Sequence, residues 1–252
     1  MSKMSPHRGR LTRAIVGLCA LGFAALVAID DAAANEQRHG LACSAAAQPD
    51  PFELYGDAMR FRVLRNGSPV GTHTVTFSRQ GRDIIVESRF DVQVELLFIT
   101  AYEYEYRAID TWRNGCLAAM QAWIDNNGAR HEVVASADGD RLIIDGPGGR
   151  ETAPLGIYPT HHWNAGVLQS DIVLNTITGR VAQVRIVDHG IETVTINGEN
   201  RPARHFGYTG ELQNQVWYDE RGRWVKMRFQ GSDGSTIEYV CEACARNLTA
   251  SR

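Results

Sequence analysis

The segment from Ile84 to Tyr106 alternates between two kinds of side chain, and it limits the fold more than any other feature. Its even positions are mostly apolar or aromatic, whereas its odd positions are mostly charged or amide residues. Such alternation is typical of an antiparallel strand with one buried face. One strand of 23 residues would be about 75 Å long, so the chain must bend or reverse. The reversal is predicted where both faces turn apolar, at Leu96, Leu97, Phe98 and Ile99. It would be either an exposed hairpin tip or a buried corner.

Other alternating runs are separated by turn dipeptides, which extend the β pattern along the chain. Asn-Gly and Asp-Gly pairs tolerate the positive φ angles of tight hairpin turns. They recur at 66–67, 114–115, 127–128, 138–139, 197–198 and 233–234. The sequence therefore predicts an all-β protein: a single curled antiparallel meander sheet of about eleven strands, forming an open or closed barrel. One short helix is expected near 164–171, capped by Asn164.

The first 34 residues have the layout of a secretory signal peptide. A basic stretch precedes 16 apolar residues from Ala14 to Ile29, and Ala32-Ala33-Ala34 offers a cleavage site. An uncleaved signal anchor is the alternative. Cleavage near Ala34 would leave a periplasmic or secreted chain with a formal charge of −5, which does not favour nucleic-acid binding. We expect a flexible N-terminal arm over 35–54, one β-sheet domain over 55–245 and a tail over 246–252.

Four cysteines remain after cleavage: Cys43, Cys116, Cys241 and Cys244. An even number in an oxidising compartment favours two disulfides, and three pairings are open. Cys241 and Cys244 form a C-x-x-C motif, for which a metal site or a redox role is the alternative. Because no second motif at zinc spacing accompanies it, no metal or other cofactor is predicted.

Aromatic residues supply the main candidate for a binding site. Tyrosines at three alternate positions should share one face of one strand, and tryptophans from other segments could join them on the concave side of the sheet. Plain core packing is the alternative explanation. The candidate ligand-binding residues are Tyr102, Tyr104, Tyr106, Trp112, Trp123, Trp163, Trp217, His161 and His162.

His161 and His162 are also the best candidates for catalysis. They lie in the longest irregular segment, and functional residues favour loops on rigid scaffolds. A structural hydrogen bond is the alternative for either ring, and a three-ligand metal site with His131 is neither supported nor excluded by the spacing. No nucleophile elbow, zinc-protease motif or phosphate-binding loop is present in the sequence, so no catalytic residue is assigned.

Six short motifs follow one another along the chain: Tyr102-x-Tyr104-x-Tyr106, Trp112-Arg113-Asn114-Gly115, Pro159-Thr160-His161-His162-Trp163-Asn164, Leu174-Asn175-Thr176, Val216-Trp217-Tyr218-Asp219 and Asp233-Gly234-Ser235. In this order they resemble a family of exported bacterial proteins catalogued as a domain of unknown function. The resemblance covers roughly residues 57–240 and implies export and a β architecture, but it transfers no catalytic residue. A looser architectural likeness is to curled-sheet periplasmic carriers of lipoproteins.

These observations favour a non-catalytic periplasmic protein that binds a hydrophobic small molecule or lipid within a curled sheet. Transient contact with a membrane or an envelope protein is a further expectation, based on the apolar segment at 96–99. Two alternatives remain: an enzyme that uses His161 or His162 in a loop-built pocket, and a cell-envelope interaction module without a small ligand.

Overall fold

Fifteen strands form one sheet within the part of the chain that the structure describes. This computed structural model describes residue 43, residues 49–96 and residues 99–244, with the side chains of Leu96 and Ile99 left out. The predicted signal peptide, most of the predicted arm and the predicted tail therefore lie outside the described residues. The strands are β1 Ala58–Arg65, β2 Ser68–Gln80, β3 Asp83–Leu96, β4 Ile99–Arg113, β5 Cys116–Asn126, β6 Ala129–Asp138, β7 Arg141–Gly146, β8 Gly149–Pro154, β9 Tyr158–Pro159, β10 Ile172–Leu174, β11 Val181–Ile196, β12 Glu199–Gly210, β13 Asn214–Tyr218, β14 Trp224–Gln230 and β15 Thr236–Ala243.

The strand order confirms the all-β prediction and corrects the number of strands. Order in the sheet runs from β8 down to β1, then from β15 down to β9, so the first and last strands are neighbours. Nearly all neighbours are antiparallel, but β9 and β10 pair in parallel. The expected eleven strands were too few because short strands such as β7 to β10 carry little alternation of their own.

The sheet curls so that one face of its strands becomes the interior. Phe61 of β1, His73 of β2 and Trp224 of β14 contact one another, although the three strands are not all neighbours. Tyr239 of β15 reaches across to Phe90 of β3 with ring centroids 5.4 Å apart. The buried side chains form one continuous cluster. Burial of this face against itself supplies the hydrophobic stabilisation that a flat sheet would lack.

The two ends of the sheet approach each other through polar contacts. The backbone N–H of Gly148 donates to the carbonyl oxygen of Thr178 at 2.8 Å. The backbone N–H of Val181 donates to the Glu151 carboxylate, also at 2.8 Å. No strand ladder joins β8 to β9 in the described residues. The curled sheet is thus bridged across this gap by loops and side chains.

Two short helices flank the sheet in the described part of the chain. A 3-10 helix spans Ala165–Gln169, and the Asn164 side chain accepts a hydrogen bond from Gly166 N–H; this agrees with the predicted helix and cap. A first helix, α1, spans Pro51–Leu54. It lies within the segment expected to be a flexible arm, yet Pro51 is buried and the Phe52 ring contacts Phe77. Residues 49–54 are therefore packed on the sheet, because a proline and a phenylalanine can bury there. No helix among the described residues is both long and apolar enough to span a membrane.

The long alternating segment forms a hairpin. Leu96, the last residue of β3, pairs with Ile99, the first residue of β4. The chain therefore reverses between them and does not continue through a corner as one bent strand. Leu97 and Phe98, the centre of the predicted apolar tip, lie outside the described residues.

Both predicted disulfides are present. Cys43 is bonded to Cys116, with 73 residues of separation, and Cys241 is bonded to Cys244. The first bond ties the N-terminal segment to the start of β5. The second closes the C-x-x-C motif at the end of β15. This pairing is one of the three that the sequence left open.

Candidate functional site

Three tyrosines of β4 lie on the inner face of the sheet, and their exposure changes along the strand. Tyr106 is 6% exposed, Tyr104 is partly buried and Tyr102 is 37% exposed. In the pairing of β4 with β3, Tyr106 is opposite Phe90, Tyr104 is opposite Val92 and Tyr102 is opposite Val94. The inner face therefore runs from a closed core at Tyr106 to an open end at Tyr102, next to the β3–β4 turn.

The open end is lined by aromatic rings, and we call it the aromatic mouth: Phe90, Tyr102, Tyr104, Phe229 and Tyr239. Phe90 contacts Tyr104 edge-on at 5.7 Å and stacks on Tyr239 at 5.4 Å. The rings of Phe229 and Tyr239 are 6.1 Å apart. Burial raises the pKa of Tyr104, and the neighbouring Tyr102 raises it further. The tyrosines of the mouth are therefore neutral and present apolar rings with hydroxyl tips.

Below the mouth, His161 joins two residues of β4. One ring nitrogen, Nδ1, lies 2.6 Å from Asp110 Oδ2, and the other, Nε2, lies 2.6 Å from the Tyr106 hydroxyl. Because a carboxylate only accepts hydrogen bonds, Nδ1 carries the proton and donates it. Nε2 is then left to accept from the hydroxyl of Tyr106. Burial raises the pKa of Tyr106 well above its usual value, and the Asp110 carboxylate adds to that rise.

Small residues lie on the inner face near the two partners of His161. Ser88, Ala108 and Ala122 are opposite one another on β3, β4 and β5, and all three are fully buried. Ala108 stands midway between Tyr106 and Asp110, the two partners of His161. A larger side chain at position 108 would occupy the space between those partners.

His162 is held in a strained backbone conformation. Its φ of 57° is in the left-handed region, which costs non-glycine residues of order 1–3 kcal/mol. Its ring lies between Tyr208 and Trp224, at 5.5 and 5.6 Å. Neither ring nitrogen has a hydrogen-bond partner among the described residues. Burial lowers the pKa of His162 to about 3, so the ring is neutral.

Trp163 and Trp112 close the end of the interior away from the mouth. Trp163 is 1% exposed and contacts Trp112 at 5.3 Å and Phe77 at 5.6 Å. The hydroxyl of Tyr55 donates to the carbonyl oxygen of Trp163 at 2.7 Å. These two tryptophans are core residues that seal the interior and do not line the aromatic mouth.

The remaining two predicted tryptophans are on the outer face, which corrects the expectation that they line the concave side. Trp217 packs against His205 at 4.2 Å beneath Lys226, whose ammonium is 5.0 Å from the indole. Trp123 is 36% exposed and lies in a shallow cleft of about 590 Å³ with charged residues such as Arg107. Strand alternation explains both positions: each tryptophan is one residue away from an inward-facing neighbour.

His131 does not join His161 and His162. Its Nε2 lies 3.0 Å from the carbonyl oxygen of Ile177, at the gap between the ends of the sheet. In the described part of the chain, no group of three or more His, Cys, Asp or Glu side chains is arranged to hold a metal ion. The structure therefore does not assemble the three-ligand site considered from the sequence.

Four residues near the site were not identified from the sequence as site residues: His73, Ser88, Asp110 and Tyr239. Each occupies an inward position in its strand, in phase with buried apolar neighbours. A polar residue in the buried phase of a strand is the signal that could have identified Asp110. Its partner could not be foreseen, because His161 is 51 residues away.

Comparison with known protein families identifies residues 61–242 as a domain of unknown function, DUF6134. The chain belongs to this family. The match agrees with the resemblance seen in the sequence, and it names no activity. No curated protein matches the chain.

Among solved structures, the chain is similar to a beta-barrel-like protein of the domain of unknown function DUF1849 from Brucella abortus. The two are 8% identical, the match covers 73% of this chain and 94% of that one, and the TM-score is 0.51. At this identity the likeness shows the fold alone. It supports a barrel-like architecture for the curled sheet.

Proposed function

We propose that this protein binds a hydrophobic or lipid-like ligand at the aromatic mouth, without catalysis, in the periplasm. The observation that carries the proposal is the exposure gradient along β4, from 6% at Tyr106 to 37% at Tyr102. An inner face that is sealed at one end and open at the other gives an apolar chain a place to enter. Rings with hydroxyl tips favour a ligand that is mainly apolar and carries a polar group.

Two features support an envelope location. The disulfides Cys43–Cys116 and Cys241–Cys244 fit an oxidising compartment, and the signal-like N-terminus fits export. Strand β4 begins at Ile99, near Tyr102 of the mouth, and we propose the apolar segment 96–99 as the place for transient contact with a membrane or an envelope protein.

Binding of a fluorescent apolar probe tests the proposal. Purified protein is titrated with N-phenyl-1-naphthylamine, and Tyr104→Ala is compared with the parent. Removal of the ring from the middle of the mouth should weaken probe binding by up to about tenfold, since an aromatic contact is worth roughly 0.5–1.5 kcal/mol and about 1.4 kcal/mol is tenfold in affinity. Trp123→Ala is the matched control, because it removes an aromatic ring from the outer face and should leave probe affinity unchanged.

Two outcomes would contradict the proposal. One is a parent protein that does not enhance probe fluorescence at all. The other is equal loss of affinity in Tyr104→Ala and Trp123→Ala, which would place the probe on the outer face. Thermal melts of each variant, run in parallel, show that the protein titrated is folded.

The enzyme alternative would rest on the Tyr106–His161–Asp110 chain of hydrogen bonds. A carboxylate that orients a histidine, which in turn accepts from a hydroxyl, is the arrangement that activates nucleophiles in hydrolases. Here all three residues are at most 6% exposed, and the loop that carries His161 covers the hydroxyl. The geometry favours a structural role, in which the three groups hold the loop in the sheet.

A further inference from the structure

His73 is a buried polar residue that has no hydrogen-bond partner among the described residues. It lies on the inner face of β2 and is 7% exposed. Four aromatic rings surround its imidazole with centroid distances between 5.2 and 6.1 Å: Phe61, Phe90, Trp224 and Tyr239. Neither ring nitrogen has a hydrogen-bond partner among the described residues. Burial of an unpaired polar group destabilises a protein, so an apolar side chain would suit this position better if packing were its only role.

The position of His73 is directly behind the aromatic mouth. Phe90 and Tyr239 contact both the imidazole and each other, and Phe90 also contacts Tyr104 in the mouth. Two rings of the mouth, Phe90 and Tyr239, thus separate His73 from the open end at Tyr102. Rotation of Tyr239 would open a path to the imidazole.

The imidazole offers a particular pair of hydrogen-bonding groups. Burial, with smaller contributions from His161 and His162, lowers the pKa of His73 to about 3. A neutral imidazole has one N–H donor and one acceptor nitrogen. The complementary polar head is one that both accepts and donates a hydrogen bond, as a hydroxyl or an undissociated carboxylic acid does. An ester or ether head can only accept.

The distance from His73 to the open end of the inner face limits the length of the hydrocarbon chain that a ligand can carry. His73 pairs with Phe90, Phe90 pairs with Tyr106, and Tyr102 is four residues farther along β4. Four residues of a strand cover about 13 Å, which is roughly the extended length of a ten-carbon chain. Measured along the strands, a molecule of this length would reach from the level of the imidazole to the level of Tyr102.

We propose that His73 binds the hydroxyl or carboxylic-acid head of a single-chain amphiphile whose hydrocarbon chain lies in the aromatic mouth. This inference rests on the proposed ligand-binding function and adds the chemical class and the orientation of the ligand. The head is buried at the imidazole, and the end of the chain points outward past Tyr102.

Competition between two matched probes tests this inference. 1-Decanol and decyl methyl ether displace N-phenyl-1-naphthylamine from the parent protein, and their affinities are compared. The alcohol should bind about tenfold more tightly, because only it can donate to the acceptor nitrogen of His73. In His73→Phe, which keeps an aromatic ring, this preference should vanish, because phenylalanine offers neither head a hydrogen bond. His189→Phe, a change on the exposed outer side of β11, should retain the preference.

The outcomes separate this inference from the function on which it rests. Equal affinity for alcohol and ether in the parent, or an unchanged preference in folded His73→Phe, overturns the role of His73 and leaves the binding function standing. A parent that binds neither probe overturns both. If His73→Phe does not fold, ¹⁵N chemical shifts of the histidine rings in the parent decide the matter. The His73 signals should move on addition of 1-decanol, and unmoved signals would overturn the inference.

Discussion

The phenol of Tyr106 should contribute measurably to stability because it anchors the loop that carries His161. In Tyr106→Phe the ring remains, but the 2.6 Å hydrogen bond to His161 is lost and Nε2 is left buried without a donor. Loss of one partner from a buried hydrogen bond costs roughly 1–3 kcal/mol. At about 2 kcal/mol, the melting temperature of a domain of this size should fall by about 4–8 °C.

Tyr102→Phe makes the same chemical change four residues away on the same face of the strand. Tyr102 is 37% exposed, so this control should change the free energy of unfolding by less than about 0.5 kcal/mol. Urea denaturation of both variants measures the difference. A double-mutant cycle with His161→Phe adds a second readout: the cost of Tyr106→Phe should shrink once the acceptor is gone. Equal stability of Tyr106→Phe and Tyr102→Phe, or additive effects in the cycle, would refute the assigned role.

Two further predictions concern pH and the disulfides. Burial lowers the pKa of His73 and of His162 to about 3. Below pH 6.5 the unfolded chain therefore takes up protons that the folded chain does not. Urea melts should show that the free energy of unfolding falls by roughly 2 kcal/mol per histidine between pH 7 and pH 5. Replacement of either histidine by Phe should reduce this slope, and an unchanged slope in both variants would contradict the assignment. The Cys43–Cys116 bridge closes a loop of 73 residues, whereas Cys241–Cys244 spans a separation of 3. Loop entropy therefore contributes about 4 kcal/mol of stability for the first bridge and about 2 kcal/mol for the second. Replacement of both cysteines of a bridge by Ser should therefore cost more stability for Cys43–Cys116 than for Cys241–Cys244, as measured by denaturation. The reverse result would show that loop entropy does not dominate.

Local patterns in the sequence predicted much of the fold. Alternation over Ile84 to Tyr106 predicted the long neighbouring strands β3 and β4, and Asn-Gly pairs predicted turns, which have positive φ at Asn66 and Asn114. The cap at Asn164 was readable because its side chain acts on a residue two positions away. Each of these features depends on neighbours in the chain.

Features that depend on distant contacts were not readable. Trp217 and Tyr104 look alike as aromatics in alternating runs, but the sequence does not say which phase of each strand faces inward. The neighbours of His73 come from four different strands, and only the curl of the sheet brings them together. The pairing of β1 with β15 likewise closes a separation of more than 170 residues.

A crystal structure of the protein with 11-bromo-1-undecanol would test the central claim most directly. The bromine scatters anomalously, so its position marks the far end of the chain. We expect one bromine peak at the open end beside Tyr102, with the hydroxyl within hydrogen-bonding distance of His73. A bromine peak in the outer cleft beside Trp123, or one next to His73 with the hydroxyl at the rim, would contradict it.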